Sequence, residues 1–438
     1  MFLSLLCSIK LITKNLGMKK ILVCSLLCFS TLSAMAQEVE LTPLEKTQAE
    51  TERIGSLVDN LNKLKISGYI QSDLQFGQKD ASLKVGTAKA GTEDNYTRIG
   101  IRRGRLKFAY SDLFEGAPNT AVAQFEMTEK AVEVKELYFS VTDPWTKWIS
   151  LQAGIANRPF GNEIPYSSSS LETPERSTAC NNLFPNEVDL GGMLTFQAPK
   201  GNPWDVFKLE TGLFAGNGMK QDVHNRKDWI SHLTYKKSYN DVQFGLGASL
   251  YLGGTCQGTA NVYEMSGKQF VKVTDAKAGD YSDRTYYGLD GQLLLSTGAG
   301  MTTLRAEMVA GKQPGALGDS KSPNASALPT TDTYRRNFMS YNIYLIQDLG
   351  QTKHSLVARY DAYDPNTKLS GDEVGLGGTG KGDIARHNIG LGYLYRMNNN
   401  FRLMAYYDMA FNEKSKNLSG YGSDLKDNIF TVRLQYKF

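Results

Sequence analysis

Basic residues recur at every second position in one segment of this 438-residue chain. Arg103, Arg105 and Lys107 alternate with Leu106 and Phe108, so in a β-strand the cations would share one face and the apolar side chains the other. A cation facing lipid costs roughly 2–4 kcal/mol near the middle of a bilayer, whereas a water-filled lumen accepts it. The chemistry that this spacing offers is electrostatic filtering of solutes. Pairing with neighbouring acids is the competing interpretation, and the sequence leaves both open.

Further charged residues fall on the polar face of other alternating segments. The basic ones are Lys208, Arg305, Arg359, Arg402 and Arg433. The acidic ones include Glu126, Glu307, Asp361 and Asp408. We expect all of them to line the lumen, and because both signs are present the sequence does not decide which ion is preferred.

Groups suited to catalysis or metal binding do not converge in the sequence. His224, His232, His354 and His387 are scattered without the spacing of a metal site. Neither a nucleophile-elbow pattern nor a phosphate-cradling glycine motif occurs. We therefore expect no catalytic residue, no metal and no cofactor, and we keep a barrel enzyme as an alternative of a different class.

The last ten residues show how these side chains would be positioned. Residues 429–438 read IFTVRLQYKF, with apolar side chains at alternate positions up to the final Phe438. This alternation is typical of a strand with lipid on one side and water on the other. The segment resembles the C-terminal strand by which the barrel-assembly machinery recognises outer-membrane barrels.

Similar alternation recurs throughout the chain and predicts an all-β fold, a 16-stranded antiparallel transmembrane β-barrel. The predicted strands lie near 66–76, 99–110, 119–128, 134–142, 148–156, 191–198, 206–214, 229–236, 241–251, 285–296, 301–310, 338–347, 354–363, 387–396, 401–411 and 429–438. An extra hairpin near 269–273 would lie inside a loop. The even-numbered connections are short and most odd-numbered ones are long, as expected for periplasmic turns and outer loops.

The start of the chain has the features of an exported protein. Residues 1–36 contain a basic start at Met18, an apolar run and Ala34-Met35-Ala36, which predicts a cleaved signal peptide. Residues 37–65 predict a periplasmic helical leader, either a short coiled coil or a flexible segment, and 66–438 the barrel. The chain carries a formal charge of +4, but four lysines precede residue 37, so the mature chain would be nearly neutral. Nothing in this balance favours nucleic acid.

Two cysteines would remain after signal cleavage. Cys180 and Cys256 are far apart in sequence, and whether they pair is left open. A pair of cysteines in an exported chain of this length does not amount to a disulfide framework.

Several segments resemble the phosphate-selective porin O/P family. They are residues 101–107, 154–163, 175–177, 187–191 and 215–218, in family order. The resemblance implies a homotrimeric porin whose third outer loop, residues 157–190, folds into the lumen and narrows it. The charged residues expected at that constriction are Arg158, Glu163, Arg176, Glu187 and Asp189.

These features together predict passive diffusion of small hydrophilic solutes, with anions or phosphate as candidate preferences, across the outer membrane of a Gram-negative-type cell. The expected surroundings are outer-membrane lipid outside the barrel and small solutes or anions inside it. The arginine and lysine ladder on which phosphate selectivity depends in the family is not apparent here. A barrel that acts mainly in surface binding or adhesion is the other alternative.

Overall fold

The computed structural model describes residues 43–323 and 331–438. The predicted signal peptide lies outside these residues. Helix α1 spans Pro43–Lys63, and proline suits the first turn of a helix because the N–H that it lacks would have no partner there. The apolar side chains of Ile54, Leu57 and Leu61 on α1 are more than half exposed. Among the described helices, none is long and apolar enough to cross a membrane.

The body of the described chain is a closed antiparallel barrel of sixteen strands, so the predicted fold is confirmed. Its strands are β1 (Leu64–Gln78), β2 (Asn95–Phe114), β3 (Ala117–Met127), β4 (Val132–Thr142), β5 (Ile149–Asn157), β6 (Val188–Gln197), β7 (Phe207–Phe214), β8 (Asp228–Tyr239), β9 (Val242–Cys256), β12 (Tyr281–Thr297), β13 (Gly300–Gly315), β14 (Thr333–Asp348), β15 (His354–Asp364), β16 (Arg386–Arg396), β17 (Phe401–Asn412) and β18 (Ile429–Lys437). Several strands extend beyond their predicted ends, mostly at the end that joins a long loop, as in β14, which begins at Thr333 rather than at 338.

The remaining two strands form a hairpin inside an outer loop. Strands β10 (Val262–Ser266) and β11 (Gln269–Lys272) pair with each other. Strand β10 also pairs in parallel with the outer end of β14, from Val262 opposite Thr333 onward. Because β9 pairs directly with β12, the hairpin is not part of the wall.

Strands β1 and β18 pair to close the barrel, and this pairing continues to Phe438, the last residue of the chain. The Gly68 N–H donates to the Phe438 carbonyl and the Phe438 N–H donates to the Gly68 carbonyl, both at 3.0 Å. A Cβ at Gly68 would lie 2.5 Å from the Arg105 carbonyl oxygen and 2.7 Å from the Phe438 ring. Glycine is therefore required here for the close approach of neighbouring strands.

Side chains alternate across the wall as the sequence pattern predicts. On β14, Tyr341, Ile343 and Leu345 are exposed on the outside, whereas Asn342 and Tyr344 are buried on the inside. The outer surface is thus apolar and the inner surface carries the polar groups, which is the arrangement that a barrel in lipid requires.

Candidate functional site

A long segment between β5 and β6 enters the interior of the barrel. This segment, residues 158–187, is called the third loop below, and it contains the short helix α2 (Thr178–Leu183). Its backbone contacts distant parts of the wall. Gln71 on β1 donates to the Ser168 carbonyl at 3.1 Å, and the Thr178 N–H donates to Asp361 Oδ1 on β15 at 3.1 Å.

Apolar side chains hold one side of the third loop against the wall. Phe160 and Phe184 from the loop belong to a buried cluster with Tyr251, Tyr286 and Phe338, which point inward from β9, β12 and β14. The Phe184 and Tyr286 ring centroids lie 5.6 Å apart in an edge-to-face arrangement, which is a favourable geometry for aromatic pairs. This side of the lumen is filled by a packed core.

The opposite side of the loop is held by charge. Glu175 lies 2.5 Å from Arg102 Nε and 2.8 Å from its Nη2, and 2.9 Å from Arg103 Nη2. Burial acts to raise the pKa of Glu175, but Arg102 and Arg103 outweigh it and hold this pKa well below its usual range. Glu175 is therefore a largely enclosed, ionised anchor of the loop.

A β-bulge brings Arg102 to this anchor. Gln71 pairs with Arg103 while Ser72 pairs with Ile101, so Arg102 is the extra residue of β2. Strict alternation would place Arg102 and Arg103 on opposite faces, and a bulge redirects one side chain. Both arginines consequently reach Glu175 from the inner face.

A second β-bulge brings a lysine side chain to the inner face of the wall, next to the third loop. On β4, Glu136 pairs with Gln124 and Val134 pairs with Phe125, which leaves Lys135 as the extra residue. Lys135 is buried, and its Nζ lies 3.4 Å from Glu187 Oε2.

Glu187 is the second charged anchor of the loop. It is paired with Arg176 within the loop and lies 3.9 Å from Arg105 Nη2 on β2. Burial acts to raise the pKa of Glu187, but Arg176, Lys135 and Arg105 together lower it.

Two further carboxylates fix the start of the loop. Glu163 accepts from the Ser177 N–H at 2.6 Å and from the Tyr344 hydroxyl at 2.5 Å. Glu307 on β13 accepts from the backbone N–H groups of Asn162 at 2.7 Å and Glu163 at 3.1 Å. Both carboxylates are buried. Donors of this chain occupy both oxygens of Glu163 and Oε2 of Glu307.

The base of the loop contains a buried ion pair. Arg158 Nε lies 3.1 Å from Asp189 Oδ2, and both side chains are at most 2% exposed. Asp189 also accepts from the Gly216 N–H at 3.0 Å. Asp189 on β6 thus joins Arg158 of the third loop to the segment that follows β7. All five charged residues that the sequence places at the constriction, Arg158, Glu163, Arg176, Glu187 and Asp189, are thus bound within the loop or to the wall.

Most of the basic wall residues that the sequence singles out are paired with acids. The pairs are Arg103 with Glu175, Arg105 with Glu126, Lys107 with Glu136, Lys208 with Glu210, Arg305 with Glu172, Arg359 with Asp361 and Asp408, and Arg433 with Asp73. Arg402 differs from them, since no described carboxylate lies within 4.0 Å of its guanidinium.

Two cavities remain beside the tip of the third loop. One, of about 290 Å³, is lined by the cations Arg105, Lys107, Arg176 and Lys437 and by the acids Glu136 and Glu187. The other, of about 300 Å³, is lined by Arg396, Arg402, Lys437 and Glu172 among polar residues. Cations outnumber acids in both linings.

The sequence did not reveal Arg102, Lys135 or the inward aromatic core. Neighbouring charged residues, such as Arg102 beside Arg103 and Lys135 beside Glu136, were the available signal, because one of each pair would otherwise face lipid. The aromatic core gave no signal, since an aromatic residue on a strand is expected on either face.

Among the described residues, the potential metal ligands do not form a cluster and the two cysteines do not form a disulfide. The described residues contain no cluster of three or more His, Cys, Asp or Glu side chains arranged to hold a metal ion. Cys180 and Cys256 are both free thiols.

Comparisons with known proteins identify the fold. No family model and no curated protein sequence matches the chain. Among solved structures, OmpT of Vibrio cholerae, an outer membrane protein in a trimer form, aligns over 86% of this chain and 99% of its own at 12% identity and a TM-score of 0.52. The outer membrane channel DcaP of Acinetobacter baumannii aligns over 86% and 97% at 11% identity and 0.52. Pseudomonas putida OprB aligns over 88% and 97% at 9% identity and 0.53. The chain therefore has the closed β-barrel fold of these outer-membrane proteins.

Proposed function

We propose that this protein is an outer-membrane porin through which small hydrophilic solutes diffuse passively. The observation that carries the proposal is the charged, solvent-accessible space beside the third loop, inside a barrel whose outer surface is apolar. A general porin needs a water-filled passage and an apolar outer surface that contacts lipid. It uses no catalytic residue and no cofactor.

In this proposal the third loop narrows the passage. Apolar packing against Tyr251 and Tyr286 on one side and the Glu175 and Glu187 contacts on the other make it a fixed filter. The predicted wall and loop charges then act mainly by holding each other in place. Such pairing favours the interpretation of the basic stripe as local neutralisation, because a paired cation contributes little to a long-range field.

A weak preference for anions follows from the unpaired cations. Arg402 and Lys437 lack ion-pair partners among the described residues, and the two cavity linings are net basic. Specificity for phosphate is not part of the proposal, because seven of the eight predicted basic wall residues are neutralised locally. The contribution of the protein is thus a mild filter by size and charge.

The termini have roles in export and assembly within the same proposal. Residues 1–36 act as a cleaved signal peptide, and Phe438 closes the seam and is read by the barrel-assembly machinery. The exposed stripe of Ile54, Leu57 and Leu61 on α1 is covered in a homotrimer by the same helix of two further copies.

Liposome swelling tests the proposal. Purified protein is reconstituted in liposomes, which are diluted into isotonic solutions of neutral sugars of increasing size. Swelling that slows as the sugar becomes larger supports a diffusion pore, and a heat-denatured sample is the control. Liposomes that never swell, even with the smallest solute, would contradict it.

A further inference from the structure

A cavity of about 300 Å³ lies between the tip of the third loop and strands β16 to β18. Arg402 and Gln435 line it from the wall, Ser169 and Ser170 from the loop, and Asn400 from the turn before β17. Lys437, next to the last residue of the chain, lines the same space. The cavity is therefore built from the end of the chain and the loop tip together.

The guanidinium of Arg402 is held in this cavity without a counter-ion. It donates to Gln435 Oε1 at 3.0 Å and to the Ser170 carbonyl at 3.5 Å, and its buried Nε has no hydrogen-bond partner. Both acceptors are uncharged. A partly buried guanidinium is normally paired because leaving its charge uncompensated costs free energy. Nη1 and Nη2 each use one N–H in these bonds and keep a second one, so this side chain has unused capacity for an anion.

The other charged groups around the cavity leave the balance positive. The acid Glu172 is committed to Arg305 and accepts from the Tyr166 hydroxyl at 2.9 Å, and Arg396 is paired with Asp348 at 3.2 Å. Within the described chain, the ammonium of Lys437 has no ion pair. Arg402 and Lys437 thus supply two uncompensated positive charges to one space.

We propose that this cavity is a binding site for a small hydroxylated organic acid, such as a sugar acid, during its passage. The inference deepens the proposed porin function and depends on it. A guanidinium matches a carboxylate through two parallel hydrogen bonds, and an ammonium adds a point charge. The Asn399 amide and the Ser170 hydroxyl can both donate to and accept from ligand hydroxyls. Asn398 Oδ1 accepts from two backbone N–H groups and Asn400 Nδ2 donates to the Lys437 carbonyl, so Asn398 offers its Nδ2 donor and Asn400 its Oδ1 acceptor.

The size of the cavity limits the ligand. A volume of about 300 Å³ lies at the lower end of the roughly 300–1,000 Å³ of small-molecule sites, so the cavity suits a small acid rather than an oligosaccharide. Inorganic phosphate would fill only part of the space and would leave the asparagine amides without ligand partners. Gluconate is therefore the probe that matches both charge and size.

Current block in planar bilayers tests the site. Channels in potassium chloride are exposed to gluconate, and the half-blocking concentration is measured for the natural chain, Arg402→Gln, Arg402→Lys and Lys437→Gln. Loss of a hydrogen bond to a charged group should raise that concentration about tenfold or more in Arg402→Gln. Arg402→Lys keeps the positive charge but loses the planar guanidinium that forms two parallel hydrogen bonds, so an intermediate half-blocking concentration is expected. Lys437→Gln should weaken block severalfold.

Lys236→Gln is the matched control, because it removes one cation from the inner face of β8 at a position that does not line the cavity. It should change the half-blocking concentration less than twofold. Insertion of each variant into the bilayer as discrete channel steps, together with heat-dependent mobility in gels, shows that it has folded.

Two results would overturn the site: gluconate block that is equal in the natural chain and Arg402→Gln, or phosphate block as strong as that of gluconate. Absence of channel steps in every chain would instead refute the porin function itself.

Discussion

Replacing Glu175 by glutamine tests whether charge holds the third loop in place. The carboxylate lies within 2.9 Å of Arg102 and Arg103 and 3.9 Å from Arg433, and it is 13% exposed. Removing one partner of a buried ion pair costs about 3–5 kcal/mol because the remaining charge is uncompensated. Glutamine keeps one acceptor oxygen, so we expect the lower end of this range.

This free energy can be converted into a change in loop opening. About 3 kcal/mol corresponds to a roughly hundredfold change in an equilibrium constant, at about 1.4 kcal/mol for each factor of ten. Hydrogen exchange of the loop amides reports such local opening. Exchange of the amides near Glu175 should therefore become about a hundredfold faster in Glu175→Gln.

Glu210→Gln is the matched control. It removes the same charge from the inner wall, but its partner Lys208 is 37% exposed, and exposed pairs contribute about 0–1 kcal/mol. Loop exchange in this variant should stay within about fivefold of the natural chain. Equal exchange in the two variants would refute the claim that Glu175 anchors the loop.

Three further predictions concern the bulge, the apolar core and pH. Deleting Arg102 should leave the barrel wall folded because it restores regular alternation in β2, although Glu175 loses one of its two arginine partners. Deleting Gly104 should turn Arg105 toward lipid at a cost of roughly 2–4 kcal/mol, and heat-dependent mobility in gels distinguishes folded from unfolded barrels. Phe184→Ala should destabilise the loop by about 3–5 kcal/mol and raise single-channel conductance, and unchanged conductance would contradict this. Because the folded pKa of Glu187 is lowered, the stabilisation from this carboxylate is complete above the unfolded value of about 4.3 and is lost as pH falls below it. Channel noise should therefore be greater below about pH 4 than at about pH 5, and equal noise at the two would contradict this.

The architecture was predictable because a barrel wall imposes one rule on every strand. Alternate residues must suit lipid, so segments such as 401–411 and 429–438 predicted their strands β17 and β18 closely. The contrast between short turns and long loops then gave the direction of each strand. These regularities are local, and they can be read without knowing which residues meet in space.

The interior was less predictable because its contacts are distant in sequence. Glu175 meets Arg102 across 73 positions, and a bulge that moves Arg102 inward depends on the register of two strands rather than on either sequence alone. Tyr286 faces inward on the same alternation that places Tyr287 outside. Residue type could not tell a packed lumenal aromatic from a lipid-facing one.

The central claim is that the barrel is an open path for small solutes, and single-channel recording in planar bilayers tests it most directly. Purified protein added to a bilayer between asymmetric potassium chloride solutions should produce stepwise conductance increases, with a reversal potential on the anion-preferring side. A bilayer that stays silent while folded protein inserts into it would contradict the account.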